Sequence, residues 1–136
     1  MALDLTPLAS ALARLEEGYA RYLKDTSDQQ IRDGLVQRFE FTYDLSHKML
    51  KRYLTQTAPT PEVVEHMSFP ALIRTGSEQG LLRGEWAQWK LYRDKRNITS
   101  HTYDEAKALE VVASIPDFIF EAGFLRDRLV ERAGTE

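Results

Sequence analysis

The residues best suited to chemistry lie in one short segment, residues 90–103. Its first twelve residues carry four basic side chains against one acidic side chain, a local charge of +3 in a chain of formal net charge −3. Arg96, Asn97, His101 and Tyr103 follow one another closely within it. Arginine presents a planar fork to phosphate oxygens, and histidine can give and take protons near neutral pH. The segment therefore predicts a site for a phosphate-containing anion.

A structural interpretation of the same segment is open as well. Basic residues at the end of a helix interact favourably with the helix dipole. Thr102 and Glu105 have the spacing of a capping box, in which each side chain bonds a backbone N–H at a helix start. That helix start would also offer N–H donors to an anion. On spacing alone the structural interpretation is favoured, because an arginine five residues before a histidine is a weak signal.

The composition bounds the kind of protein that carries this segment. A length of 136 residues predicts one domain over residues 1–136. Hydrophobic residues at 43% and charged residues at 29% argue against disorder. The net charge excludes binding to nucleic acid through overall charge, although not through a local basic site. No apolar run approaches the ~20 residues of a membrane span, and no targeting segment is recognised, so we expect a soluble cytoplasmic protein.

Metal and thiol chemistry are not expected from this sequence. The chain has no cysteine, which excludes disulfides and thiolate catalysis. Its three histidines lack the close helical spacing of a metal site. We therefore expect neither a metal nor a cofactor.

The elements that must position the segment are predicted to be helices. Apolar residues over residues 5–22 step by three and four, which indicates one apolar stripe on a first helix, with Asp4 or Thr6 as its cap. A second helix, over about residues 29–56, is apolar over a wide arc. Such a helix contacts neighbours on more than one side, so we expect it at the centre of the fold or at a dimer interface.

The remaining pattern completes an all-α, up-and-down bundle of four or five helices. Prolines after the second helix end it, and Ser68 is the expected cap of a short helix. The further helices are expected over about residues 62–66, over about residues 69–79, from near Glu85, and from Thr102 to about Arg132, with a kink or break at Pro116.

Two blocks of this sequence resemble HEPN-domain proteins, in particular the branch of nucleotidyltransferase substrate-binding proteins. Residues 96–103, Arg-Asn-Ile-Thr-Ser-His-Thr-Tyr, match the Arg-x4-His-x-Tyr motif of that branch. Residues 37–48, Gln-Arg-Phe-Glu-Phe-Thr-Tyr-Asp-Leu-Ser-His-Lys, are similar to the signature of its second helix. The pair Ser46-His47 departs from the pattern, which commonly has an aromatic residue before the lysine. The resemblance covers roughly residues 8–130.

This resemblance implies a helical-bundle homodimer in which the two Arg-x4-His motifs meet in a cleft between subunits. Many HEPN proteins are metal-independent ribonucleases that act as toxins. A minimal nucleotidyltransferase encoded next to them can act as the antitoxin, and in this branch it can adenylylate the motif tyrosine. The implied partners are thus a second copy of the chain, a minimal nucleotidyltransferase, and RNA or a nucleotide.

The resemblance also assigns expected roles to the motif residues. His101 would be the general acid and base for attack of a ribose 2′-OH on the adjacent phosphodiester. Arg96 would stabilise charge on the phosphoryl oxygens, which is often the largest catalytic contribution. Asn97 would orient the phosphate or the histidine, and Tyr103 would line the cleft as the candidate modification site.

Charged residues of the second helix admit two interpretations. Glu40, Asp44 and Lys48 share one helix face, which favours a solvated ladder of ion pairs. The functional alternative is that Glu40 or Asp44 pairs with Arg96 across the cleft or binds a basic partner. The residues that could support the site or contact RNA or a partner protein are Arg38, Glu40, Asp44 and Arg93.

The other aromatic and histidine side chains are expected to be structural. Trp86, Trp89 and Tyr92 could stack on bases, but aromatic residues at helical spacing are more often core residues. His47 and His66 are expected to be surface or half-buried residues without a chemical role.

Three functions remain open on the sequence. The first is a HEPN ribonuclease of toxin type that works with a nucleotidyltransferase, and the second is a non-catalytic subunit that binds substrate for that enzyme. The third is a helical interaction protein in which the motif only ends a helix. The intact motif favours the first two over the third, with the first narrowly ahead. Whether the chain is an enzyme is left open.

Overall fold

The computed structural model describes residues 3–133, and all of their regular structure is helical. The predicted all-α bundle is therefore confirmed. Two short helices in the connection bring the number of α-helices in this range to six. They are α1 (Thr6–Lys24), α2 (Gln29–Thr57), α3 (Pro61–Glu65), α4 (Phe69–Glu78), α5 (Trp86–Asn97) and α6 (Glu105–Arg132), with a 3₁₀ turn (Thr99–His101) between the last two.

Helix α2 lies at the centre of the bundle. It packs against each of the other five α-helices and against the 3₁₀ turn. Its wide apolar arc requires neighbours on several sides, and the predicted central position is confirmed. A four-residue connection joins it to α1, and Asp28 caps its start by accepting a hydrogen bond from the N–H of Ile31 at 3.1 Å. Residues on α2 are thus placed to hold several other elements at once.

The aromatic core joins α2, α5 and α6. Phe39, Trp89, Tyr92 and Phe118 are fully or almost fully buried, and the ring of Phe118 meets the edges of the other three at centroid distances of 5.0–6.1 Å. Edge-to-face contacts of this kind add to the stability gained by burial. The core interpretation of Trp89 and Tyr92 is confirmed, whereas Trp86 is only half-buried.

A buried carboxylate fixes the loop that leads into α5. Glu121 of α6 is completely buried and accepts hydrogen bonds from the backbone N–H groups of Arg83 and Gly84, both at 2.8 Å. A Cβ atom at Gly84 would lie 2.9 Å from the Glu121 Oε1 atom, so a larger residue at this position would displace the carboxylate. Burial raises the pKa of Glu121 above its ordinary value. This contact sets where α5 begins relative to α6.

The predicted cap of α4 is confirmed, and the predicted cap of α1 is wrong. Ser68 accepts from the N–H of Ala71 at 3.2 Å and caps α4. The N-cap residue of α1 is Leu5 rather than Asp4 or Thr6, although the Asp4 carboxylate accepts from the N–H of Thr6 at 3.0 Å. Each of these side chains satisfies an N–H group that has no partner inside its helix.

The predicted capping box at Thr102 is wrong. The cap of α6 is Asp104, whose carboxylate accepts from the N–H of Lys107 at 3.3 Å, and the helix begins at Glu105. Aspartate is the stronger capping residue of the two, and the chain is still in the turn that follows the 3₁₀ segment at Thr102. The later start lengthens the joint between α5 and α6, where the motif lies.

Of the kink or break predicted at Pro116, the break does not occur. Helix α6 runs through Pro116 as one element. Proline removes one backbone hydrogen bond, but Val112, Ile115 and Phe118 are buried on both sides of it. Tertiary packing therefore holds the helix together. No helix within residues 3–133 is long and apolar enough to cross a membrane.

Candidate functional site

The guanidinium group of Arg96 binds two carboxylates of α2. Its Nε atom lies 2.9 Å from Asp44 Oδ1, and its Nη2 atom lies 3.1 Å from Asp44 Oδ2 and 3.2 Å from Glu40 Oε2. Glu40 and Asp44 stand one turn apart on the same face of α2. The two carboxylates thus pair with Arg96 of their own chain, and within residues 3–133 Lys48 forms no ladder with them. We call Arg96, Glu40 and Asp44 the arginine cluster.

The arginine cluster is held in one geometry and carries a net negative charge. The two-pronged contact between Arg96 and Asp44 fixes the plane of the guanidinium, and hydrogen bonding to Asp44 raises the pKa of Arg96. The Arg96 side chain remains 31% exposed. One positive and two negative charges leave a formal charge of −1. Of the guanidinium nitrogens, Nη1 forms no hydrogen bond to either carboxylate, and its only hydrogen bond within the described chain is a long one of 3.4 Å to Thr99 Oγ1.

Thr99 closes the end of α5 beside the arginine cluster. This threonine is buried, and its hydroxyl donates to the backbone carbonyl of Arg96 at 2.9 Å. A hydroxyl bonded in this way satisfies a carbonyl that has no partner within the helix. Asn97, the last residue of α5, is exposed next to it.

His101 and Tyr103 form the second half of the site. His101 Nδ1 lies 2.9 Å from the Tyr103 hydroxyl oxygen, and the two rings meet edge to face at 5.7 Å. Tyr103 is 84% exposed, and His101 is half-buried. Because the Tyr103 hydroxyl engages Nδ1, Nε2 is the imidazole nitrogen that remains for a ligand. The pair offers a proton-transfer group and an exposed phenol side by side.

Arg32 of α2 holds the peptide between these two residues, and sequence reasoning missed it. Its side chain is buried, and Nη2 donates to the backbone carbonyl of Thr102 at 3.4 Å and to the neighbouring Asp33 at 3.3 Å. An arginine on the apolar side of a helix can place its head group at a carbonyl while its stem packs in the core. One arginine in a long helix gives no such signal in a single sequence.

The other predicted residues lie apart from the arginine cluster. Arg38 points toward α1, where Nη1 donates to the carbonyl of Arg14 at 2.8 Å. The exposed Arg93 lies one turn before Arg96, with its guanidinium 5.7 Å from the ring of Phe69. Within residues 3–133 no hydrogen bond joins Arg96 to His101. The structure therefore brings together two groups, Arg96 with its carboxylates and His101 with Tyr103.

Among the described residues no metal site accompanies the two groups. In the part of the chain that the structure describes, no three histidine, aspartate or glutamate side chains cluster so that they could hold a metal ion. The two groups can bind an anion through a guanidinium and transfer a proton through an imidazole.

A helical bundle with an Arg-x4-His-x-Tyr motif at the joint of its last two long helices defines a HEPN-type helical protein. Residues 3–131 match the family described as nucleotidyltransferase substrate binding protein like, and the chain belongs to this family. The resemblance found in the sequence is thereby confirmed.

Relatives of this chain carry two kinds of description. Over 99 residues it is 46% identical to "Probable ribonuclease HepT" of Haemophilus influenzae, which covers 73% of this chain and 67% of that protein. It is also similar to HI0074 of the same organism, whose structure is described as the fold of a substrate binding domain of a nucleotidyltransferase. That match has a TM-score of 0.86 at 37% identity and covers 93% of this chain and 98% of the other.

A second solved structure has a similar fold. The protein ttk003001694 of Thermus thermophilus matches with a TM-score of 0.72 at 33% identity, over 90% of this chain and 98% of that one.

Proposed function

We propose that this chain, as a single cytoplasmic HEPN domain, is the ribonuclease of a two-component system of toxin–antitoxin type whose other component is a minimal nucleotidyltransferase. The relative named as a probable ribonuclease supports the activity, and membership of the family supports the partner. The active unit is a homodimer in which motifs of both subunits face one cleft. Cleavage proceeds without a metal ion.

The observation that carries the proposal is the pairing of His101 Nδ1 with the Tyr103 hydroxyl at 2.9 Å. It leaves Nε2 to take the proton from a ribose 2′-OH. The resulting oxyanion attacks the adjacent phosphorus, the bond to the 5′-oxygen breaks, and a protonated imidazole returns a proton to that leaving oxygen. The products are a 2′,3′-cyclic phosphate and a 5′-hydroxyl. General acid–base catalysis of this kind contributes typically about 10²–10⁴-fold.

Arg96 stabilises the charge that develops on the phosphoryl oxygens through Nη1. The carboxylates of Asp44 and Glu40 occupy its other nitrogens, and they orient the guanidinium before the substrate arrives. A donor fixed in advance is worth more to the transition state than one that must reorganise. Asn97, exposed beside it, orients the bound phosphate.

The exposed Tyr103 is the proposed site at which the nucleotidyltransferase regulates this activity. A phenol that is 84% exposed is accessible to a second enzyme. The phenol oxygen would attack the α-phosphorus of ATP, pyrophosphate would leave and the hydroxyl proton would be lost, so that a charged adenylyl group would stand beside His101. Mass spectrometry of the chain after incubation with the partner and ATP tests this, with Tyr103→Phe as the variant that must stay unmodified.

A non-catalytic substrate-binding subunit is the second candidate, and one observation favours it. Two carboxylates against one guanidinium give the arginine cluster a formal charge of −1, which weakens its attraction for a phosphate. In such a subunit the arginine cluster would be a structural ion-pair network. The similarity to a nucleotidyltransferase substrate binding domain is consistent with this role.

Cleavage of RNA by the purified chain in EDTA separates the two candidates. The wild type is compared with His101→Ala, and with Lys24→Ala as a control at an exposed position on α1. Product ends that carry a cyclic phosphate, lost only in His101→Ala, support the ribonuclease. Absence of cleavage from a folded, dimeric wild type that co-purifies with its nucleotidyltransferase supports the binding subunit.

A further inference from the structure

A groove lies along the C-terminal half of α2. Its volume is about 830 Å³, and its lining includes three cations of α2, Lys48, Lys51 and Arg52. Two carboxylates, those of Asp4 before α1 and of Glu65 in α3, also line it. We call this cavity the α2 groove.

The cations of the α2 groove form no ion pairs among the residues that the structure describes. None of Lys48, Lys51 and Arg52 forms an ion pair with another residue in the range 3–133. The Asp4 carboxylate is instead bonded to the N–H of Thr6 at 3.0 Å. These three cations, unpaired within residues 3–133, outnumber the two carboxylates of the lining, which favours an anionic ligand.

The α2 groove lies farther along α2 than the arginine cluster. Lys48 follows Asp44 by one turn of α2, about 6 Å along the axis, and Arg52 follows by two turns, about 12 Å. Two aromatic rings lie beside this stretch of the helix. The ring of His47 packs on the edge of Phe69 at 4.6 Å, and the guanidinium of Arg93 lies 5.7 Å from the same ring.

The His47 side chain presents a neutral aromatic ring rather than a cation. It lines the α2 groove, and burial, assisted by the nearby Lys51, lowers its pKa below the ordinary value for histidine. The charged groups that face it are Lys51, Asp44 and Arg93. Bases can stack on a neutral ring while the flanking cations bind phosphates.

We propose that the α2 groove binds the phosphate backbone of single-stranded RNA and carries the strand away from the bond that is cut at His101. A groove that combines cations with an aromatic ring, here that of His47, has the two kinds of group that bind the phosphates and the bases of a single strand. This proposal rests on the proposed ribonuclease function and extends it, because it names a substrate-binding surface outside the Arg-x4-His-x-Tyr motif.

Binding of a fluorescent 12-nucleotide RNA, followed by anisotropy, tests the proposal in the His101→Ala background, where cleavage does not interfere. The groove variant is Lys48→Gln/Lys51→Gln/Arg52→Gln. The matched control, Arg14→Gln/Lys24→Gln/Arg74→Gln, removes the same charge from exposed residues that form no ion pair with the part of the chain described. Thermal unfolding establishes that both variants are folded.

The salt dependence of binding gives the expected size of the effect. Each phosphate contact on a single strand adds about 0.7 to the slope of log K against log salt. Loss of three contacts lowers the slope by about 2, so between 50 and 200 mM salt the parent should lose roughly twentyfold more affinity than the groove variant. The control should keep the slope of the parent. Equal slopes and affinities for the groove variant and the control would overturn the proposal.

Two further outcomes keep this proposal distinct from the proposed function. If the wild type cleaves no RNA but the groove variant loses affinity, the ribonuclease assignment fails and the RNA surface stands. If the groove variant binds RNA like the control but no longer co-purifies with the nucleotidyltransferase, the α2 groove is a protein-docking surface and the RNA proposal is overturned. A dinucleotide substrate is too short to reach Arg52. The wild-type chain and a variant that carries the three groove substitutions with His101 intact should therefore cleave it equally.

Discussion

The two carboxylates that hold Arg96 should have separable effects on catalysis. Asp44 binds both Nε and Nη2 of the guanidinium at 2.9 and 3.1 Å, whereas Glu40 contacts only Nη2 at 3.2 Å. Asp44→Asn and Glu40→Gln each remove one negative charge from the arginine cluster. Only Asp44→Asn also breaks the two-pronged contact, because an amide offers one acceptor oxygen in place of two. Glu40→Gln is therefore the matched control for charge.

The charge lost in either variant should strengthen RNA binding. A carboxylate about 6 Å from a bound phosphate repels it by about 3 kcal/mol at an effective dielectric of 20, and by less than about 1 kcal/mol in bulk water. The Arg96 side chain is 31% exposed, between these limits. We therefore expect a gain of about 1–2 kcal/mol, which is roughly 5–30-fold in affinity.

The two variants should differ in the rate of the chemical step. Removal of a fixed donor to a developing oxyanion lowers kcat by about 10²–10³-fold. Asp44→Asn keeps the donor, Arg96, and only loosens its orientation. We expect kcat to fall about tenfold in Asp44→Asn and to stay within about twofold of the wild type in Glu40→Gln, while KM falls in both. Steady-state cleavage of a fluorogenic RNA in EDTA measures both constants.

A loss of fold must be excluded before these constants are interpreted. Exposed ion pairs contribute at most about 1 kcal/mol each to stability, so both variants should unfold within a few degrees of the wild type. Equal kcat values for the two variants would refute the orienting role of Asp44. A raised KM in Glu40→Gln would refute the electrostatic argument, because it would show that the negative charge of Glu40 does not weaken RNA binding.

Further predictions concern the elements around the site. Glu121→Ala removes the acceptor of two backbone N–H groups and should lower the free energy of unfolding by about 2–4 kcal/mol in urea titrations. Because burial raises the pKa of Glu121 in the folded chain, the folded state binds more protons. The contribution of Glu121 to stability should therefore fall as the pH rises from the ordinary pKa of a glutamate through the raised pKa of Glu121. The variant Glu121→Gln should lack this dependence on pH. Equal slopes of stability against pH in the two proteins would contradict the assignment. Asp104→Ala should destabilise the chain by about 1 kcal/mol and Thr102→Ala by much less, whereas the reverse order would restore the capping box at Thr102. Arg32→Met should keep the packing of the stem but release the Thr102 carbonyl; we expect faster amide exchange confined to the turn that carries His101, and uniform exchange changes would contradict the positioning role.

The helices could be predicted from the sequence because their patterns are redundant. The stripe on α1 repeats over five turns, and the wide apolar arc of α2 leaves only a central position or an interface open to it. Ser68 could be predicted as a cap because Pro70 follows it in the first turn of a helix. Patterns of this kind depend on many residues, so one exception does not change the prediction.

The details of the site could not be predicted because each depends on a single contact. Thr102 and Asp104 are both acceptable caps, and only the path of the chain after the 3₁₀ turn selects between them. Glu40 and Asp44 fit a surface ladder as well as a contact with Arg96, which is 52 residues away from Asp44 in sequence. Glu121 and Arg32 are charged residues in apolar surroundings, and no spacing in the sequence distinguishes them from exposed ones.

The two halves of the motif are attached to the same helix, and this arrangement explains how a long joint can hold a site. Arg96 is bound to Glu40 and Asp44 of α2, and the carbonyl of Thr102 is bound to Arg32 of α2. The attachment points are 8 and 12 residues apart, so α2 spaces them by about 12–18 Å along its axis. Because α2 packs against every other helix, its register is fixed by the whole core. The positions of Arg96 and the His101 turn are therefore set by a rigid element rather than by the joint itself, which is the condition that a preorganised site requires.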